Sequence, residues 1–123
     1  MQLIELSKRL LNECDASISR FHKQRELDAT PQFYEEVKPH ADTIHSLLNE
    51  WQTLALNWME RSRPKYIHPS QIENVVDAMN QFTVQSFYKE TSKKRFIQSV
   101  QSVHYTLSFL LRHLEEESGK DVQ

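Results

Sequence analysis

The chain has 123 residues, near the commonest size for one domain, and roughly two-thirds of its unfolded surface can be buried in one core without metal or disulfide. It contains one glycine, Gly119, one cysteine, Cys14, and a net charge of −2 from 15 basic and 17 acidic residues. Scarce glycine excludes the glycine-rich phosphate loop and the dinucleotide fingerprint and disfavours β-sandwiches and barrels; one cysteine makes neither an internal disulfide nor a cysteine-based zinc site; the charge balance gives no general field for nucleic acid or anionic membrane.

The first element is already amphipathic at Met1-Gln-Leu-Ile-Glu-Leu, without the basic-then-apolar order of a signal peptide. Leu3, Leu6, Leu10, Cys14, Ile18 and Phe21 recur every three or four residues, the period of one helix face. Ile4 and Leu11 widen this stripe, and a helix over about 2–27 is predicted. The stripe as drawn carries no inward carboxylate.

A break follows at Asp28-Ala-Thr30-Pro31. Thr30 suits a helix cap, and Pro31 suits the first helical position, where its missing N–H had no intrahelical partner. Phe33, Val37, Ala41, Ile44, Leu48, Trp51 and Trp58 continue the rhythm. The second helix is predicted over about 31–61, with a kink or short break near Pro39.

Arg63-Pro64-Lys65-Tyr66-Ile67-His68-Pro69 is the clearest connector, because two prolines five residues apart cannot sit in an undisturbed helix. Two start signals compete behind it: Ser70 with Glu73 at capping-box spacing, and His68 as cap with Pro69 at the first helical position. Ile72, Val76, Met79, Phe82, Ser86 and Phe87 carry a third helix over about 69–88. After a short polar link at Lys89-Glu-Thr-Ser92, Phe96, Val100, Val103, Leu107, Leu110 and Leu114 carry a fourth over about 92–117. Gly119 lies just past it, and the last few residues should fray. Four amphipathic helices with short links predict an all-α, antiparallel up-and-down four-helix bundle as a single domain over 1–123.

Arg63-Pro64-Lys65-Tyr66-Ile67-His68 followed by Gln71-Ile72 resembles the signature of the YppE-like family of Bacillus-type bacteria. Gln85-Ser86 with Lys93-Lys94-Arg95-Phe96, and Ser102-Val103 with Tyr105-Thr106-Leu107, resemble its second and third motifs. The resemblance implies a four-helix up-and-down domain of unknown function in a Gram-positive bacterium. It brings no catalytic residues to carry over.

Read for chemistry, the six histidines invite a metal. A di-iron bundle site needs Glu-x-x-His on two helices. Only Asp42 and His45 offer an i,i+3 carboxylate–His pair, and Pro39 separates Glu36 from His40. Solvated histidines are the simpler reading; His45, His104 and one of His22 or His113 form the trio to test. Cys14 lies on an apolar stripe, where nothing favours a thiolate. The aromatics Phe33, Trp51, Trp58, Phe82, Phe96 and Phe109 are of the kind that lines a ligand pocket, but at helical spacing plain core is the simpler reading. Tyr66 and Tyr105 are expected to be buried phenols tying a connector to the bundle.

Two basic segments remain as candidate interaction or anion patches. Arg61, Arg63, Lys65, Tyr66 and His68 follow the second helix, where cations also suit a C-terminus. Lys89, Lys93, Lys94 and Arg95 precede or open the fourth helix, where the macrodipole disfavours cations and an anionic partner gains weight. Antiparallel topology puts the two segments at opposite ends.

No catalytic residue, metal ligand or cofactor is assigned. The expected protein is cytoplasmic, consistent with its lone thiol and lack of a ~20-residue apolar run. The leading function is a non-enzymatic protein-interaction module, monomeric or weakly homodimeric, without nucleic-acid or membrane partners. The alternative is a small-molecule or metal-binding bundle with weak enzymatic activity, using groups such as Gln85, His104 and Tyr105.

Overall fold

In the computed structural model, which describes the backbone of residues 1–122 and the side chains of residues 1–119, the chain is all-α with four long helices. Leu3, Leu6, Leu10, Cys14 and Phe21 form the buried stripe of α1 (Gln2–Leu27). The helix ends at Asp28, whose φ of 52° places it in the left-handed region. The Asp28 N–H donates to the Arg25 carbonyl at 3.3 Å and the Ala29 N–H to the Gln24 carbonyl at 3.2 Å. Carbonyls that would otherwise end unpaired are thereby satisfied. Aspartate occupies a site glycine usually takes, since its short polar side chain tolerates this conformation.

The chain resumes at Phe33, not at Pro31, through one π-helical turn over Phe33–Val37. The Val37 and Lys38 N–H groups donate five residues back, to the Gln32 and Phe33 carbonyls. This turn lies where a kink or short break is expected near Pro39. Pro39 has no N–H to give, and widening the preceding turn places the ring in the first turn of α2 (Lys38–Ser62), where no intrahelical donor is required of it. Thr30 makes no cap; the Gln32 N–H instead donates to Glu36 Oε2 at 2.6 Å. Phe33, assigned above to the core, is 45% exposed on this turn, whereas Val37 is fully buried.

α2 ends at Arg63, also left-handed with φ 45°, whose N–H reaches the Met59 carbonyl at 2.9 Å. α3 (Pro69–Gln85) starts with His68 as N-cap and Pro69 at its first position. The competing Ser70 start loses because Gln71 Oε1 accepts the His68 backbone N–H at 2.7 Å. α3 stops three residues before the expected Tyr88. Ser86 Oγ donates to the Thr83 carbonyl at 2.6 Å, and the Phe87 and Tyr88 N–H groups reach back only three residues. Ser86 and Phe87 are still buried, which is why they continued the stripe. α4 (Lys93–Val122) then runs through Gly119, which is inside the helix instead of capping it. The expected fraying falls partly on Gln123, outside the described residues.

α1 packs on α2 and α4, and α3 packs on α2 and α4, so consecutive helices surround one core as an antiparallel up-and-down bundle. Phe21 stacks on Phe96 at 4.5 Å between ring centroids, and Phe96 meets Phe82 edge-on at 6.2 Å. Trp51 is buried, and its indole N–H donates to Ser7 Oγ at 3.0 Å, so a ring of this size leaves no orphaned donor. Among the described residues no helix is long and apolar enough to cross a membrane.

Candidate functional site

Two polar arrangements stand out against this core. The first is internal. Glu13 on α1 is only 6% exposed. Its Oε2 accepts from Ser17 Oγ at 3.0 Å and from Arg20 Nη1 at 3.3 Å. His40 Nε2, from the first turn of α2, lies 2.9 and 3.0 Å from its two oxygens. Arg20 also donates to the buried Ser86 Oγ at 2.7 Å and stacks 4.6 Å above the Phe87 ring. This corrects the expectation that α1 turns no carboxylate inward. The signal was present: Leu6, Leu10, Glu13, Ser17 and Arg20 step by four, three, four and three, continuing the helical face in polar residues.

A carboxylate, an imidazole and a guanidinium together have the makings of acid–base chemistry. Their partners argue otherwise. Glu13 Oε2 is held by Ser17 and Arg20, His40 Nε2 sits against both carboxylate oxygens and 3.2 Å from Arg20 Nη2, and Arg20 is divided among Glu13, His40, Ser86 and the Phe87 face. The cluster joins α1 to the start of α2 and to the corner between α3 and α4. It is a clasp with little valence left for a substrate. An open cleft beside it, lined by Arg9, Asn12, Thr43 and Leu47, reaches the clasp only at Glu13 and His40.

The second arrangement is a furrow along the seam of α3 and α4. At its upper end Gln81, Gln85, Arg95, Gln98, Ser99 and Ser102 line a hollow of about 530 Å³. Gln81, Ser99 and Ser102 also border the next hollow, with Asn74, Asp77 and Thr106. Thr106 leads into a third of about 430 Å³, walled by Tyr66, Tyr105 and Phe109 with Ile67 and Gln71. The first two hollows share Gln81, Ser99 and Ser102 and the third adjoins at Thr106, so they follow one another along the seam as a trough. Its origin is local: Ala78, Ser99 and Ser102 are too short to fill the space between two helices carrying glutamines on either side.

Tyr66 and Tyr105 are 70% and 71% exposed, so they are not the buried phenols expected above. Tyr66 is lifted off the bundle by the proline-bounded connector. Tyr105 stands one step outside the Val103–Leu107 stripe and stacks on the half-buried Phe109 at 6.4 Å. Together they form an aromatic lip.

The candidate patches divide accordingly. Arg61, Arg63 and Lys65 lie exposed at the α2–α3 end, and Arg63 with Lys65 borders a hollow that continues from Tyr66. His68 is spent as the cap of α3. Lys89 is tied to Asp28 at 2.8 Å across the opposite end, which raises the ammonium pKa and lowers that of the carboxyl. Lys93, Lys94 and Arg95 are exposed on the first turn of α4, and of these Arg95 borders the furrow. None of the three is in an ion pair among the described residues.

The groups named for the alternative function do not converge. Gln85 lines the top of the furrow and Tyr105 the bottom, while His104 approaches Asp15 on α1 at 4.0 Å. His45 faces Asn80 on α3. Among the described residues no three His, Cys, Asp or Glu side chains are grouped to hold a metal. Burial, with the charges of Asp15 and Glu13, pushes the Cys14 thiol up to about 12, as expected for a core residue and not a nucleophile.

Comparison with known proteins places relatives around this geometry. A family model described as a bacterial domain of unknown function, DUF1798, matches residues 7–114. The chain is 28% identical over 118 residues to the uncharacterized protein YppE of Bacillus subtilis, covering 96% of each chain. The crystal structure of that protein superposes with a TM-score of 0.91, again over 96% of both chains. A DUF1798 protein from Staphylococcus aureus shares 27% identity with a TM-score of 0.80, over 90% of this chain and 94% of that one. A Listeria innocua protein of unknown function, 24% identical, shares the fold at a TM-score of 0.92 over 97% and 95%.

Proposed function

The chain belongs to the DUF1798 family of bacterial domains of unknown function, and from that premise we propose that it is a non-enzymatic, cytoplasmic protein-interaction module that docks a partner in the α3–α4 furrow. The observation that carries this reading is the furrow itself. It is a run of adjoining hollows with a cation that is unpaired among the described residues at one end and two tyrosines more than two-thirds exposed at the other. Exposed tyrosine beside half-buried apolar surface is the composition that protein interfaces favour. Several residues that carry the family resemblance line this same trough, among them Tyr66, Gln71, Gln85, Arg95, Ser102 and Tyr105. The clasp, by contrast, is saturated by its own neighbours.

The test is a pull-down from the cytosol of the native bacterium. A specific partner held by the wild-type chain is lost when Arg95→Glu is combined with Tyr66→Ala and Tyr105→Ala. If every specific partner survives all three changes, the furrow is not the interface. A small-molecule reading rests on the 430 Å³ aromatic hollow alone. A fluorescent hydrophobic probe displaced from Tyr105 by a metabolite extract, with no protein partner found, would favour it.

A further inference from the structure

The furrow's chemistry changes along its length, and the change narrows what can lie in it. Its upper end is polar, and its middle mixes Asn74, Asp77 and Gln81 with Val75, Ala78 and Val103. The side-chain amides of Gln81, Gln85 and Gln98 make no hydrogen bond among the described residues, whereas Gln24, Gln71 and Asn80 use theirs within the fold. An amphipathic helix would need a continuous apolar floor to receive its stripe. An extended strand presents the opposite requirement, because every residue has a backbone N–H and C=O to satisfy. A side-chain amide is the group that both donates and accepts, so a row of them matches a peptide backbone.

The ends differ in charge and polarity. Arg95 is the one basic side chain lining the three hollows and has no ion-pair partner among the described residues. Asp77, their one acidic side chain, lies farther down beside Val103 and Thr106. A carboxylate is therefore favoured at the Arg95 end and disfavoured beyond the middle. The lower end is aromatic. From Arg95 to Phe109 the helix rises about 21 Å at roughly 1.5 Å per residue. An extended chain covers that in about six residues at roughly 3.3 Å each.

We infer that the furrow receives an extended segment of a partner protein, about six residues long, with a carboxylate at the Arg95 end and an aromatic or large apolar side chain against Tyr66, Tyr105 and Phe109. This rests on the docking reading above and gives it a partner chemistry.

The test uses the full-length, 15N-labelled chain and two acetylated, amidated hexapeptides, Glu-Ser-Thr-Ser-Thr-Trp and its reverse, because either strand direction is open. One of them shifts backbone amides confined to 66–85 and 95–109, with a Kd on the order of 1 mM or tighter. Arg95→Glu, at an exposed position that leaves the thermal midpoint unchanged, weakens that binding at least about 10-fold. A peptide with lysine in place of glutamate recovers it on the variant. Absence of shifts in the furrow with both peptides at several millimolar, or shifts elsewhere, overturns the inference. So does binding indifferent to the charge swap. A 14-residue amphipathic helical probe separates the two readings. If it occupies the furrow while both hexapeptides do not, the extended-peptide inference fails and the docking reading stands. If no probe binds and a photo-crosslinker at position 105 captures no protein in cells, both fail.

Discussion

Glu13 shows how one buried charge can organise a fold without acting on anything. Placing a carboxylate where it is only 6% exposed is costly unless polar partners surround it, and here Ser17 and Arg20 donate to it and His40 Nε2 lies against it. Removing it takes the shared acceptor away from Ser17 and Arg20 and the carboxylate away from His40. Glu13→Ala is expected to destabilise the bundle by about 3 kcal/mol in urea unfolding, the range for breaking a buried pair. Glu13→Gln, which keeps the shape and an acceptor, should lose about half of that. A loss below about 0.5 kcal/mol for the alanine variant would show that the clasp is incidental. One residue along, Cys14 makes a different prediction. Burial pushes its thiol up to about 12 in the folded chain, from an ordinary value of 9.0 to which unfolding returns it. The unfolded state therefore ionises first, and stability falls as pH rises through that window, by up to about 1.4 kcal/mol per unit. Alkaline melts of the wild type and of Cys14→Ala should diverge above about pH 9, the variant showing the shallower decline. At pH 8 the folded thiol should resist a disulfide reagent that labels it at once in denaturant.

At the scale of elements, the chain uses left-handed non-glycine residues where glycine would be cheaper. Asp28 and Arg63 both end helices with positive φ. Asp28 has a return, its ion pair with Lys89. Arg63 makes no ion pair among the described residues and borders the hollow beside Tyr66. An L-residue in this conformation costs roughly 1 kcal/mol, which glycine avoids. Arg63→Gly is expected to raise stability by up to about 1 kcal/mol, or roughly 4 °C in thermal midpoint. A neutral or lowered midpoint would mean that the arginine side chain holds the connector in a way its contacts do not reveal. The π-turn belongs to the same scale. Pro39 marked a disturbance in the sequence, but proline specifies only its own φ and a missing donor. Whether the chain kinks at the ring or widens the turn before it is decided by packing, here by burial of Val37, which a residue-by-residue reading does not supply.

For the whole molecule, the helical stripes were legible because burial imposes a 3.6-residue period, and Leu10, Trp51, Phe82 and Leu107 all sit where that period puts them. The furrow was not legible. It depends on Ala78 facing Ser99 and Ser102 across two helices, a register that no spacing within one helix encodes. Tyr66 and Tyr105 face outward for a related reason: a lone aromatic flanking a stripe is inward or outward according to its neighbour. The same register supplies the sharpest global prediction. If the trough is open space kept for a partner, filling it should not harm the fold. Ser99 is half-buried and Ser102 exposed, so Ser99→Leu with Ser102→Leu adds apolar surface without displacing any core side chain. Stability should stay within about 0.5 kcal/mol of wild type or rise by up to about 1 kcal/mol, while partner capture and hexapeptide binding are lost. If the double variant is destabilised by more than about 2 kcal/mol, those serines are packing elements of the bundle. If it is stable and still binds its partner, the contact lies elsewhere on the surface.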